Sequence, residues 1–164
     1  MSHSADMNMS ALISELERDE GVRLSAYRCT AGFLTIGVGR NLDTNKLTAD
    51  ELAFVGHDGR KKPITKSQSD YLLKNDIEKV CAELLKFLPW WAYLGDVRKR
   101  VLVNMAFNLG IAGLLKFTNT LALIRSGSYA QAASEMVKSK WTKQVGKRAD
   151  RLANMMKTGE VADG

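Results

Sequence analysis

Residues 19–40 read DEGVRLSAYRCTAGFLTIGVGR. The stretch begins at the end of a helical pattern, and after Gly21 it changes to a short alternation of apolar and polar residues that three further glycines interrupt. This change predicts a helix that ends at Glu20, followed by a small antiparallel sheet with tight turns. A helix end that faces a sheet can form one wall of a cleft, and glycines in that sheet let a bulky polymer approach the backbone closely.

On both sides of this stretch the pattern is helical. Ser10 is the expected N-cap of the first helix, and Thr48 with Glu51 forms a capping-box pattern for a brief helix to about Val55. Further helices are expected at residues 65–87 (ended by Pro89), 96–109, 118–125, 130–140 and 147–157. The order of helix, small sheet, long helix and helical bundle predicts the α+β class.

The composition is that of one globular domain. The chain has 164 residues, of which 45% are hydrophobic and 26% charged. It shows neither a run long enough for a membrane span nor a signal-peptide pattern at its start, so we expect synthesis in the cytoplasm. Cys29 and Cys81 are then expected to be free thiols. The net charge of +6 favours anionic partners.

No cofactor or metal is expected. His3 and His57 are the two histidines, and neither has a partner at ligand spacing. Neither a phosphate-binding loop nor a Ser-His-Asp pattern occurs. The basic residues are scattered through helical stretches and form no continuous arm, so we expect no nucleic-acid partner and no stable membrane anchor.

The segment from Asp19 to Arg40 resembles the phage lysozymes of glycoside hydrolase family 24. Their pattern is a Glu, eight residues, an Asp or in some members a Cys, five residues and a Thr, which Glu20, Cys29 and Thr35 match. The resemblance continues through NMAFNLG at 104–110, FTNT at 117–120, KSKW at 138–141 and KRA at 147–149. It therefore covers nearly the whole chain.

The resemblance implies a two-lobed fold with a cleft between the lobes. We expect one domain over residues 1–164, with a sheet lobe at about 21–64, a connecting helix at about 66–87 and a helical lobe at about 90–160 that includes the N-terminal helix. The implied activity is hydrolysis of the β-1,4 bond between N-acetylmuramic acid and N-acetylglucosamine in peptidoglycan. The residues that match family positions along the sugar cleft are Gly39, Arg40, Asn41, Phe107, Asn108 and Thr120. Arg40 departs from the His often found there, and Asn41 departs from an apolar residue.

Glu20 is the expected general acid. Cleavage of a glycosidic bond needs a protonated carboxylic acid for the leaving oxygen, whereas an ordinary glutamate is ionised at neutral pH. The resemblance also places Arg148 opposite Glu20 as an ion-pair partner, which favours the ionised form. Substrate binding would have to weaken that pair before Glu20 can donate its proton.

Cys29 stands where many family members carry a second carboxylate. A thiol is neutral below its usual pKa of about 8.5, and as a neutral group it neither stabilises positive charge on the sugar nor accepts a proton from water. As a thiolate it can do either. Thr35 can hold the attacking water together with Cys29. The alternative for Cys29 is a small packed residue, and for Thr35 an ordinary strand former.

Three functions stay open at this point. The leading one is an endolysin, a bacteriolytic muramidase. It would be a monomer that stays in the host cytoplasm until a separate pore admits it to the periplasm. Its positive charge would attract it to an anionic envelope. The second is a cell-wall-binding or membrane-perturbing basic protein with a decayed site, which would use the basic residues 147–157. The third is a lytic transglycosylase, which needs the acid but no activated water.

Overall fold

The structure, a computed structural model, describes residues 6–161. Its helices are α1 (Met9–Glu20), α2 (Ala49–Val55), α3 (Lys66–Phe87), a short 3₁₀ helix (Pro89–Tyr93), α4 (Asp96–Leu115), α5 (Thr118–Arg125), α6 (Tyr129–Lys138), α7 (Lys140–Val145) and α8 (Lys147–Thr158). Its strands are β1 (Arg23–Arg28), β2 (Leu34–Gly37) and β3 (Arg40–Asn41). The prediction of an α+β fold is confirmed.

The chain divides into two compact units, and the boundary falls inside α3. We call residues 9–78 the sheet unit, and the described residues 6–8 and 79–161 the helical unit. The helix α1 belongs to the sheet unit, although it was expected in the helical lobe. It begins at Met9, so Ser10 lies inside the helix and the prediction of Ser10 as its N-cap is wrong.

The sheet is antiparallel, with the strand order β1-β2-β3. Thr35, on the central strand β2, pairs with Tyr27 on β1 and with Asn41 on β3. An irregularity in the β1–β2 register lies between Arg23 and Tyr27. This pairing places the end of β1 directly beside the start of β2, which is where the candidate residues of the hairpin lie.

Apolar residues from the sheet and the following helices form the core of the sheet unit. The buried members of this core are Ile36, Leu42, Leu47, Val55, Ile64 and Leu72. The helix α2 begins with the predicted capping box: Glu51 N donates to Thr48 Oγ1 at 3.2 Å, and Thr48 N donates to Glu51 Oε1 at 2.9 Å. These bonds satisfy two amide groups that the first turn of a helix leaves without a helical partner.

The helical unit is built around α4, whose side chains from Lys99 to Ala106 are buried. The predicted break after residue 109 is a kink at Gly110, with φ 73° and ψ 160°, after which the helix resumes to Leu115. The helix predicted at 130–140 is α6, which ends at Lys138, and Ser139 separates it from a short helix that was not predicted, α7. In the part of the chain that the structure describes, no single helix is both long and apolar enough to cross a membrane; α4 and α5 reach that composition only together, across a bend of 106°.

Candidate active site

Glu20 is the last residue of α1. The helix ends there because Gly21 takes a positive φ of 78°, which a residue with a Cβ rarely adopts, while its N–H still donates to Glu17 O at 2.8 Å. The strand β1 begins two residues later at Arg23. Glu20 is half-buried, at the point where the chain passes from helix to sheet. The predicted helix end is confirmed.

Cys29 begins the turn that joins β1 to β2. Its N–H donates to Phe33 O at 2.9 Å, and its carbonyl accepts from Gly32 N at 2.8 Å, which closes the turn over residues 29–33. Gly32 has a φ of 87°, so this position favours glycine. The side chain of Cys29 is half-buried. We call residues 29–33 the thiol turn.

The thiol turn makes Cys29 more acidic than an ordinary cysteine. Hydrogen bonding from the backbone of Phe33 has the largest effect in holding the pKa of the Cys29 thiol below its usual value. Partial burial acts in the opposite sense, while the backbones of Ala31 and Gly32 and the Thr35 side chain add to the lowering. Hydrogen bonds to a sulfur favour its anionic form because a thiolate accepts them better than a thiol does.

Thr35 lies beside Cys29 on the neighbouring strand. It is 4% exposed, its Oγ1 donates to Phe33 O at 3.0 Å, and its side chain helps to lower the pKa of the Cys29 thiol. A hydroxyl has one proton, so it cannot donate to the carbonyl and to a thiolate at once. The hairpin of β1 and β2 therefore brings Cys29 and Thr35, two of the three residues of the predicted pattern, close together within the sheet unit.

Gly39 lies in the turn from β2 to β3, and Arg40 and Asn41 form β3 and differ in what their side chains contact. Gly39 is exposed and has a φ of 73°. Asn41 Oδ1 accepts the backbone N–H groups of Asp43 at 2.9 Å and Thr44 at 3.1 Å, so it organises the turn after β3. A role of Gly39 and Asn41 in binding sugar stays a prediction.

Arg40 has a structural environment that its place in the sequence pattern did not predict. The residue is 2% exposed. All three guanidinium nitrogens have partners in the sheet unit: Nε donates to Asn45 O, Nη2 to Glu51 Oε1 and Lys46 O, and Nη1 to Glu51 Oε2, with Asp76 Oδ1 3.2 Å from Nη1. These contacts occupy the donors that a sugar would need, so we leave Arg40 out of the proposed substrate contacts.

The other predicted residues lie in the helical unit. Asn108 Oδ1 accepts Trp141 Nε1 at 2.9 Å, and Arg148 Nε donates to Asn104 Oδ1 at 2.9 Å. Phe107 is half-buried in α4. The proposed pairing of Arg148 with Glu20 stays a prediction, as does sugar binding by Phe107 and Asn108.

Thr120 is buried and lines a cavity of about 570 Å³ between helices of the helical unit. The edge-to-face pair of Phe117 and Trp141, with ring centroids 6.1 Å apart, lies in its wall together with Lys138. Trp141 is buried, with 3% of its surface exposed. Within residues 6–161, no three His, Cys, Asp or Glu side chains gather as a metal site would require, and His3 lies outside the described residues.

Residues 17–157 match the family model described as phage lysozyme. The chain belongs to the phage lysozyme family. It is a glycoside hydrolase of the lysozyme type, and its substrate is the peptidoglycan of the bacterial cell wall. The match covers the thiol turn, the kinked helix α4 and the helix α8 up to Lys157, and so includes every predicted site residue.

Curated relatives agree with this family. The chain is 31% identical to "Probable T4-type lysozyme 1" of Dictyostelium discoideum, over 93% of this chain and 97% of that protein. It is 29% identical to an "Endolysin" of Acyrthosiphon pisum secondary endosymbiont phage 1, over 81% of this chain and 80% of that protein. It is also 30% identical to the "Pre-baseplate central spike protein Gp5" of Enterobacteria phage T4, over 94% of this chain and 28% of that longer protein.

Proposed function

We propose that this lysozyme hydrolyses the β-1,4 bond between N-acetylmuramic acid and N-acetylglucosamine, with Glu20 as general acid and with Cys29 and Thr35 holding the attacking water. The observation that carries the proposal is the closed thiol turn between β1 and β2, which places Cys29 near Thr35 and holds the pKa of the Cys29 thiol below its usual value. Cys29 stands where many family members carry a second carboxylate, and in this turn its thiol becomes anionic more readily than an ordinary thiol does.

Cys29 acts in this proposal as the thiolate. A thiolate beside the anomeric carbon stabilises the positive charge that develops on the sugar, and it can accept a proton from water as water attacks. In the thiolate form, the Thr35 hydroxyl turns its proton from Phe33 O towards the sulfur, which leaves its lone pairs directed at water. Thr35 then orients the nucleophile while Cys29 accepts the proton.

Glu20 donates its proton to the leaving oxygen. Glu20 is half-buried at the end of α1, and Gly21 turns the backbone directly afterwards. The cleavage then balances: the C–O bond breaks as the leaving oxygen takes the proton of Glu20, and water adds its hydroxyl to the anomeric carbon. Gly39, Asn41, Phe107, Asn108 and Thr120 are proposed to contact the sugar chain, and Arg148 to pair with Glu20.

We propose that the protein is a monomeric endolysin, held in the host cytoplasm until a separate pore admits it to the periplasm, with no stable membrane anchor. The curated relative named "Endolysin" supports this role. The charge distribution supports attraction to an anionic envelope, because residues 79–164 contain 14 Lys and Arg but only 6 Asp and Glu. In a host, lysis should then require co-expression of a pore-forming protein, and lysis without one would contradict this placement.

The test of the chemistry is mass spectrometry of the fragments released from purified peptidoglycan. The wild type should release muropeptides that end in reducing N-acetylmuramic acid, and Glu20→Gln should be about 100-fold slower or worse. Glu17→Gln is the matched control, since Glu17 lies on the same helix and pairs with Lys66 at 2.7 Å. Full activity of Glu20→Gln would end the proposal.

The same measurement separates the alternatives. Fragments that end in an anhydro sugar would identify a lytic transglycosylase. Wall binding without any release of fragments by the wild type would identify a binding protein with a decayed site. Cys29→Ser should be slower than the wild type while still binding the wall, because serine keeps the size of the side chain but does not ionise in this pH range.

A further inference from the structure

Asp43 lies outside the residues of the family pattern, in the turn that follows β3. Its Oδ2 accepts the backbone N–H of Leu34 at 2.9 Å. Leu34 is the first residue of β2, so it directly follows the thiol turn and directly precedes Thr35. The carbonyl of Leu34 accepts Leu42 N at 2.8 Å, which attaches the same peptide to the segment that carries Asp43.

The other end of the thiol turn is attached to the same carboxylate. Arg28, the last residue of β1, places Nη1 3.4 Å from Asp43 Oδ2 and donates from that nitrogen to Gly32 O at 3.0 Å. Asp43 thus contacts the residue before the turn and the residue after it, and Arg28 carries the contact to a carbonyl within the turn. The carboxylate therefore holds both ends of the thiol turn.

A third segment holds Asp43 in place. Arg60, from the loop after α2, has Nη1 3.4 Å from Asp43 Oδ1 and donates from Nη2 to Leu42 O at 3.0 Å. Hydrogen bonding from Leu34 N and the two guanidinium groups hold the pKa of Asp43 below its usual value, so it stays ionised throughout the neutral range. The charged groups at this turn are Arg28 from β1, Asp43 from the turn after β3, and Arg60.

We propose that Asp43 is a positioning residue for Cys29, because its carboxylate contacts the residues on both sides of the thiol turn and so fixes the backbone conformation of the turn around the sulfur. The proposal rests on the proposed function for its catalytic meaning. Its effect on the thiol is independent of catalysis. These ion pairs are exposed and add little stability, so the role of Asp43 is geometric.

The direction in which the ionisation midpoint of Cys29 moves in a variant of Asp43 distinguishes a positioning role of Asp43 from a purely electrostatic one. Removing a negative charge near a thiol, with nothing else altered, makes the thiol easier to ionise. Loss of the hold on the turn acts in the opposite sense, since amide groups that no longer point steadily at the sulfur stabilise its anion less. A rise of the ionisation midpoint of Cys29 in Asp43→Ala therefore reports positioning.

The experiment measures alkylation of Cys29 by iodoacetamide as a function of pH, with the Cys29 peptide followed by mass spectrometry so that Cys81 does not contribute. In Asp43→Ala the midpoint should rise by about one pH unit and alkylation at pH 7 should slow several-fold, with little change in Tm. Asp43→Asn is the conservative variant: it loses the charge but keeps an oxygen for Leu34 N, and its midpoint should rise less than half as far. Asp50→Ala, which removes an exposed aspartate of α2, should change nothing.

An alkylation profile of Asp43→Ala that coincides with that of the wild type, or shifts down, would overturn the proposal. If this variant does not fold, Arg28→Lys gives the same decision, since it keeps the positive charge while its shorter side chain weakens the contacts that Arg28 Nη1 makes with Asp43 Oδ2 and Gly32 O. Its midpoint should also rise, and an unchanged midpoint would count against the proposal. Cleavage of peptidoglycan is measured in parallel. Full activity of Cys29→Ser would overturn the proposed role of Cys29 while leaving the alkylation result as the measure of Asp43.

Discussion

Arg40 and Glu51 form a doubly hydrogen-bonded ion pair inside the sheet unit. Nη2 lies 2.6 Å from Oε1 and Nη1 lies 3.0 Å from Oε2, and each side chain is 2% exposed. Asn75 donates to Glu51 Oε2 at 3.0 Å, and Asp76 adds a second carboxylate beside Arg40. Charges withdrawn from water are tolerated where they are paired, so the loss of one partner leaves the other uncompensated.

Glu51→Gln should therefore destabilise the protein by about 3 kcal/mol, because it leaves the buried Arg40 with weaker compensation and weakens the capping box of α2. Urea unfolding followed by circular dichroism measures the change. Asp50→Asn removes the neighbouring exposed carboxylate and should alter stability by roughly 0.5 kcal/mol or less. Equal losses in the two variants would contradict this account of the pair.

Acid should remove the stability that the ionised Glu51 contributes through its pair with Arg40. Burial alone would raise the pKa of Glu51, but hydrogen bonds from Arg40, Thr48 and Asn75 lower it from 4.5 to about 2. A carboxyl whose pKa is depressed in the folded state stabilises the fold above its ordinary pKa, and that stabilisation fades as the pH falls from about 4.5 towards 2, by roughly 3 kcal/mol in all. Urea midpoints measured from pH 6 to pH 2 should fall more steeply over this window for the wild type than for Glu51→Gln. Parallel curves would show that Glu51 is not the group that titrates.

Ser69→Ala should stabilise the protein by about 1 kcal/mol. Ser69 is fully buried on α3, and its hydroxyl has no hydrogen-bond partner among the described residues. Ser67→Ala, at an exposed position of the same helix, measures the gain that alanine brings through helix propensity alone. The gain at Ser69 should exceed it in urea unfolding, and a loss at Ser69 would mean that the hydroxyl is satisfied.

Cys29→Asp should keep peptidoglycan hydrolysis within about tenfold of the wild type, because it supplies the anion that we propose the thiolate provides. It should also extend activity to lower pH, since a carboxyl ionises below a thiol. Iodoacetamide should inactivate the wild type and Cys81→Ala alike, because Cys81 is fully buried, and should leave Cys29→Asp active. Inactivation of Cys29→Asp by the reagent would place the sensitive group elsewhere.

The features that depend on neighbouring residues could be predicted from the chain alone. The end of α1 at Gly21, the capping box of α2 and the end of α3 before Pro89 agree with the structure, since caps and backbone restrictions act over a few residues. The short helix α7 and the 3₁₀ helix Pro89–Tyr93 were missed, because one or two turns carry too little periodicity to distinguish them from a loop. Ser10 failed as an N-cap since the helix had already begun at Met9.

The candidate site also has features that the sequence predicts and features that only the tertiary structure decides. The sequence by itself determined the family pattern of Glu20, Cys29 and Thr35, because their spacing is a property of the linear chain. Only the tertiary structure decided that Arg40 faces Glu51 inside the sheet unit, and that Asp43 holds the thiol turn from a position nine residues beyond Leu34. Burial and ion pairing depend on which segments come into contact when strands pair and loops fold back. Such long-range contacts follow no fixed spacing of residues in the sequence.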